Sequence, residues 1–344
     1  MKVGKKSLIN LERCYAVSTM QFDGETRMLF ATEGKGACYM FSGENLTQST
    51  VWDGPGGTMS IVPIPCRKEF LAVQNFFPTF QSENAAIVWG SIQNDNSWEV
   101  KTILKLPYVH RFDILSAGGI NYFLGATLCT SKKDKDDWSD PGKVYVGVLP
   151  DDLNKPIEIK PIIENLTKNH GYCRSQWKGK MAGFITAEEG VFVVTPPEKA
   201  GGNWEVEKII DRPVSDIALC DIDGDGVDEI ATIESFHGTE FCINKRIGND
   251  YVVIYKYENP IDFGHVVWGG TLRGVPTFIG GCRRLDKELF CIQCSGRNPL
   301  TFKTCIIEKN IGPSNITVMN EKDHDIILSA NREIGEAAIY KITD

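Results

Sequence analysis

The 344-residue sequence has no run approaching the roughly 18 apolar residues of a spanning helix, so no membrane partner is expected. Residues Met1 to Leu11 carry neither an apolar h-region nor a small-residue cleavage site. They do not read as a signal peptide, and a cytoplasmic protein is expected. There is no excess of positive charge: 37 Lys and Arg stand against 45 Asp and Glu, a formal net charge of −8. A general nucleic-acid surface, which needs clustered cations, is thereby excluded. No GxSxG elbow, HExxH pair or GxxxxGK[ST] loop is present, which removes the common serine-hydrolase, zincin and P-loop chemistries. WD and kelch signatures do not recur. Amphipathic helical periodicity is also missing, leaving short β-type runs between Gly, Asn and Asp turns. The 11 cysteines are odd in number, and Cys14, Cys220, Cys242, Cys291 and Cys305 lie inside apolar strand patterns. They are expected to be reduced core thiols. Cys291 and Cys294 form a lone CxxC with no second pair to complete a zinc site.

What is present is a repeat. An outer-strand pattern closes successive units at Ser49–Trp52, Trp98–Leu104, Ile157–Ile163, Trp204–Ile210, Val252–Tyr257 and Thr301–Ile307. The spacing, about 45 to 55 residues, is that of four-stranded propeller blades. Units then run Tyr15–Gly56, Gly57–Tyr108, Val109–Lys168, Asn169–Pro213, Val214–Pro260 and Ile261–Gly312. The last, Pro313–Asp344, holds three strands (Asn315–Met319, Asp325–Ala330, Ala337–Ile342), and Lys6–Glu12 is free to supply the fourth. The expectation is one all-β domain over residues 1–344: a seven-bladed β-propeller of antiparallel blades, closed by pairing the N-terminal strand with the last blade.

Within the fifth unit, Asp221-Ile-Asp223-Gly-Asp225-Gly-Val-Asp228-Glu229-Ile resembles the DxDGDGxxD loop of FG-GAP (VCBS) propeller repeats, with Glu229 where Asp is commoner. Alternating carboxylates around a glycine turn suit a hard cation, so Asp221, Asp223, Asp225 and Glu229 are candidate ligands for calcium or a similar ion. The alternative is a hairpin capped by carboxylates without metal. The loop joins the first two strands of its blade, which gives it a structural role.

Four of the five histidines map to the strand ends expected to surround a central pocket on one face. His110, His170 and His265 fall at inner strands and His237 at the end of a second strand, while His324 lies on an opposite turn. His170, Tyr172 and Arg174 alternate along one strand and so share a side. Arg111, Glu234, Arg283, Arg284, Asn331, Arg332, Glu333, Gln74 and Asn75 fall at equivalent ends, and the acidic insertion Ser131–Gly142, with Lys132, Lys133 and Trp138, would form a lid. Neutral imidazoles suit zinc, manganese or iron. Arginines in an otherwise acidic protein suit an anionic or polyhydroxylated ligand. Such a pocket is similar to that of oligogalacturonate lyases, and the FG-GAP-like blade resembles the propeller part of aldos-2-ulose dehydratases. These resemblances imply a metal-assisted lyase, dehydratase or isomerase acting on a sugar, keto-sugar or sugar acid by β-elimination. His110, His170, His237 and His265 would be its metal or base set, Tyr172 a second candidate base, and Arg174 and Arg283 its clamps. The competing reading is a non-catalytic carbohydrate- or protein-binding propeller, with Phe76, Phe77, Trp138, Phe236 and Trp268 as stacking aromatics. No obligate protein partner is expected.

Overall fold

The computed structural model describes residues 1–78 and 81–344. Among these, 28 strands are numbered β1 to β28 in chain order, and the helical content is a single 3-10 turn at Arg332–Ile334. The strands form seven four-stranded antiparallel sheets, the blades of a propeller, each a meander of consecutive strands except where the chain termini meet. They fall into two compact units, residues 16–208 and residues 1–15 with 209–344.

The first unit carries four blades, except for Cys14 and Tyr15 at the start of β2 and Ile209 and Ile210 at the end of β17, which fall in the other unit. Blade one is β2 (Cys14–Phe22), β3 (Glu25–Thr32), β4 (Cys38–Ser42) and β5 (Thr47–Trp52). Blade two is β6 (Ile61–Pro63), β7 (Glu69–Gln74), β8 (Ala86–Ile92) and β9 (Trp98–Lys105). Blade three is β10 (Val109–Ala117), β11 (Ile120–Thr127), β12 (Gly142–Val148) and β13 (Lys160–Leu166). Blade four is β14 (Tyr172–Trp177), β15 (Lys180–Ala187), β16 (Gly190–Thr195) and β17 (Glu205–Ile210). Middle strands such as β7 are buried almost throughout, whereas outer strands such as β9 alternate half-buried with exposed residues. Neighbouring blades pack face to face. Ala16, Leu29 and Met40 of blade one meet Phe70, Ala72 and Val88 of blade two, and Leu124, Val144 and Val146 of blade three meet Ile185 and Val194 of blade four.

The second unit carries three blades. Blade five is β18 (Asp216–Cys220), β19 (Glu229–Glu234), β20 (Glu240–Ile247) and β21 (Asp250–Lys256). Blade six is β22 (Asp262–Leu272), β23 (Val275–Arg284), β24 (Leu289–Arg297) and β25 (Leu300–Glu308). Blade seven is β26 (Pro313–Asn320), β27 (Asp325–Asn331), β28 (Glu336–Thr343) and, from the other end of the chain, β1 (Lys2–Asn10). β1 runs antiparallel to β28 from Lys2↔Thr343 to Asn10↔Glu336, with a bulge between Ser7 and Ile9, so the expected closure is present. Two strand positions differ from expectation. β1 spans Lys2–Asn10 rather than Lys6–Glu12, and the outer strand of blade three lies at Lys160–Leu166 rather than Ile157–Ile163. Ile157, an apolar residue of the expected strand, is buried ahead of β13 in an irregular stretch.

Cysteine placement follows the expected thiol chemistry with one correction. All 11 are thiols outside any disulfide, and burial pushes those of Cys129, Cys242 and Cys291 up to about 12. Cys305, expected in the core, is exposed on the outer strand β25 opposite Cys291. Cys291 and Cys294 are three residues apart in one strand and pack into different apolar clusters, so the CxxC does not form a chelating pair.

Candidate functional site

The candidate histidines occupy the ends of strands, as the spacing implied, in two pairs. In the four-blade unit His110 is the second residue of β10, and His170 lies two residues before β14. Both are buried, with ring centroids 4.5 Å apart. His110 Nδ1 lies 3.2 Å from the His170 carbonyl oxygen. A carbonyl can only accept, so Nδ1 carries the proton and Nε2 is left as the basic nitrogen. Phe76, fully buried, closes one side of His110 edge-on at 5.3 Å.

Tyr172 and Arg174 do share a side of β14, but they contact Asp113 and, for Arg174, the Ile114 carbonyl oxygen at 3.2 Å, both on β10. The Tyr172 hydroxyl donates to Asp113 Oδ2 at 2.9 Å, and Arg174 Nη1 lies 3.2 Å from Oδ1. Burial, followed by the adjacent Asp113 charge, raises the Tyr172 phenol well above its ordinary value. Tyr172 is thereby held as a protonated donor to Asp113. Burial likewise raises the Asp113 carboxyl, and the Arg174 charge only partly offsets this.

In the three-blade unit the geometry is richer. His265, in β22, is buried, and its Nδ1 lies 2.6 Å from the Ser314 carbonyl oxygen. The same argument puts the proton on Nδ1, and Nε2 then accepts the Tyr15 hydroxyl at 3.2 Å. Tyr15 reaches this place because blade seven ties down the N-terminal segment. Ser314 Oγ lies 3.0 Å from the Cys14 carbonyl oxygen, and Asn315 Nδ2 donates to that of Tyr15 at 2.8 Å. His237 follows β19 in a turn, its amide donating to Ser215 Oγ. Its ring is sandwiched between Phe236 and Phe263, each at 4.1 Å, with His265 at 5.4 Å. His237 and Phe263 both have positive φ, 45° and 58°. Non-glycine residues adopt that region at a cost, and such strain concentrates where a side chain is held for use.

Cations line the same cluster. The guanidinium groups of Arg283 and Arg284 lie 4.5 and 4.8 Å from the Phe263 ring centroid. Glu333 accepts from Arg283 Nε and Arg332 Nη1, both at 2.8 Å. Burial raises the Glu333 carboxyl, but the hydrogen bond from Arg283 and the charges of Arg283 and Arg332 outweigh it and hold the group below its ordinary value. Two arginines thus share one carboxylate oxygen, and Arg284 faces Asp262 at 3.6 Å. Glu234, expected beside His237, is bound bidentately by Arg212 at 2.9 Å and serves that ion pair.

Sequence reasoning missed Tyr15, Phe263 and Asp113. Tyr15 is 250 positions from His265, and only the closure of blade seven brings them together. Of the aromatics offered for stacking, Phe236 lies at this cluster, whereas Trp268 packs against the apolar core of blades six and seven. In the insertion of blade three, Lys132 lies 3.4 Å from the Trp138 ring centroid and donates to the carbonyls of Lys135 and Asp137, closing the loop upon itself.

No family model matches the chain, and no curated protein matches it. Among solved structures it is similar to Saccharomyces cerevisiae Sqt1, at 9% identity and TM-score 0.55 over 92% of this chain and 82% of that one. The chain is a β-propeller. Sqt1 is a WD40 protein, so the likeness is of fold, without the WD repeat signature in this sequence. No helix among the described residues is long and apolar enough to cross a membrane.

Proposed function

We propose that this protein is a carbon–oxygen lyase acting on a keto-sugar or sugar acid, and that the Tyr15–His265 pair moves the proton. The observation that carries the reading is the fixed tautomer of His265. With Nδ1–H committed to Ser314, the buried Nε2 is the ring's only basic atom, and it already holds a hydroxyl group. Removal of a proton beside a carbonyl or carboxylate needs such a base and a cation for the resulting enolate charge. Arg283 is only 12% exposed at its side chain and lies against the aromatic shelf on Phe263, so it supplies the charge in a partly desolvated setting. The His237 ring packs between Phe236 and Phe263, so it stiffens the aromatic wall beside His265 rather than offering a face of its own.

A divalent transition metal would strengthen this chemistry by polarising the substrate oxygen. A carbonyl bonded to Nδ1 orients a metal-binding imidazole as well as it orients a base, so His265 and His110 are fit for either role. On His265 the metal would have to displace the Tyr15 hydroxyl. The resemblance of the Asp221–Glu229 loop to FG-GAP repeats is consistent with this reading of the fold and adds nothing to the chemistry.

The test is a panel of uronates and keto-sugars, followed by the absorbance of the unsaturated product, with elemental analysis of the dialysed protein. Wild type is expected to turn over at least one member, and His265→Asn to lose about two or more orders of magnitude in kcat. Saturable binding without product by wild type would instead assign a carbohydrate-binding propeller.

A further inference from the structure

The acidic loop of blade five holds more carboxylate than a hairpin needs, and its chemistry is remote from the histidines. It precedes β19, while His237 follows it. The Asp221, Asp223 and Asp225 oxygens come within 4.8 Å of one another, a separation one cation can bridge. Gly224 and Gly226 have φ of 72° and 91°, which let the chain wrap tightly enough to bring them there.

A cation of the protein's own is already among them. Lys245, on the neighbouring strand β20, places Nζ 2.6 Å from Asp223 Oδ2, 2.7 Å from Asp225 Oδ2 and 2.7 Å from Glu229 Oε1. An ammonium group has three N–H donors, and here each meets a carboxylate from a different residue. The remaining carboxylate oxygens are used by the backbone. Asp221 accepts from the amides of Asp225 and Gly226, both at 3.0 Å, Asp225 Oδ1 from Val227 at 2.9 Å, and Glu229 Oε2 from Ile222 at 3.2 Å. Calcium would need six to eight oxygens at about 2.3 to 2.6 Å. Three of the four candidate ligands already face the ammonium, and the fourth caps the turn.

We propose that Lys245 is the resident cation of this loop and takes the place that calcium holds in loops of this pattern. The residues therefore do not fit a bound calcium ion, and the charge of the loop is partly offset from within, independently of metal supply. Burial lowers the Lys245 ammonium, but its hydrogen bonds to Asp223, Asp225 and Glu229 outweigh this and hold it well above its ordinary value, so the group stays charged at any physiological pH. Glu229 is fully buried and is raised chiefly by that burial, which makes its ionised form dependent on the lysine beside it.

The experiment is calcium titration by calorimetry, with thermal unfolding in EGTA and in millimolar calcium, on the full chain. Wild type is expected to show no saturable calcium binding and the same Tm in both buffers. Lys245→Met keeps an unbranched apolar stem, one atom shorter, and removes the charge. Its Tm should fall in EGTA and be restored by calcium, with saturable binding that wild type lacks. Asp225→Asn, at the exposed rim, leaves two of the three ion pairs and should remain indifferent to EGTA, which keeps a second reading if Lys245→Met fails to fold. A wild-type protein that binds one calcium ion and melts lower in EGTA overturns the proposal. So does a Lys245→Met variant that melts like wild type and ignores calcium.

Discussion

At His265 a backbone carbonyl decides which ring nitrogen holds the proton, and Tyr15 completes the arrangement by donating to the other. Tyr15→Phe should leave substrate KM within about twofold and lower kcat about 10- to 100-fold, measured by steady-state kinetics on whichever substrate the panel reveals. A purely structural hydroxyl would shift Tm and leave kcat alone. Asp113 presents the contrasting case, a carboxyl raised by burial that accepts from Tyr172 and Arg174. Asp113→Asn keeps an acceptor and removes a charge that the site disfavours, so its cost in denaturant unfolding should stay under about 1 kcal/mol. Asp113→Ala orphans the buried Tyr172 hydroxyl and should cost about 1 to 3 kcal/mol. The histidines were legible as a class because strand ends can be counted from a repeat. Their partners were not, since Ser314 contributes a main-chain carbonyl that no side-chain pattern encodes. Lys245 was equally hidden: nothing in a lone lysine announces that it will answer carboxylates 16 to 22 positions upstream.

Turn chemistry and alternation mark most strands in the sequence, and two strands show what those signals omit. β1 is exposed along most of its length, so no apolar alternation marks it, and its limits are set by pairing with β28 and by the bulge at Ser7. The outer strand of blade three begins later than the spacing implies, because Ile157 continues the apolar pattern while its side chain is buried outside the sheet ladder. Loop order carries its own pH dependence. Asp137 accepts from the side chain and amide of Ser139 and the amide of Lys133, and these bonds lower its carboxyl to about 2. A carboxyl depressed on folding contributes order above its unfolded value near 3.8, and that order is lost as pH falls through about 2. Amide hydrogen exchange at Lys133 and Ser139, corrected for intrinsic rates, should show protection that is constant from pH 6 to about 4 and collapses below about 3. In Asp137→Asn the protection should be weaker throughout and flat with pH.

For the chain as a whole, seven blades and their closure followed from spacing alone, because a repeated unit that cannot bury both faces must stack on its neighbours. The same repetition explains why spacing is silent on chemistry: the fold hosts many functions, and only the residues at strand ends distinguish them. In this molecule those residues are a buried histidine of fixed tautomer, a tyrosine brought from the far end of the chain, and arginines gathered on one carboxylate. The most direct test of that reading is proton exchange rather than product formation. Keto-sugars and uronates incubated with the protein in deuterium oxide, followed by NMR, should lose the signal of the proton beside the carbonyl or carboxylate. The loss should be abolished in His265→Asn and slowed in Tyr15→Phe. Sugars that bind wild type saturably yet keep that proton, or exchange that persists undiminished in His265→Asn, would contradict the account.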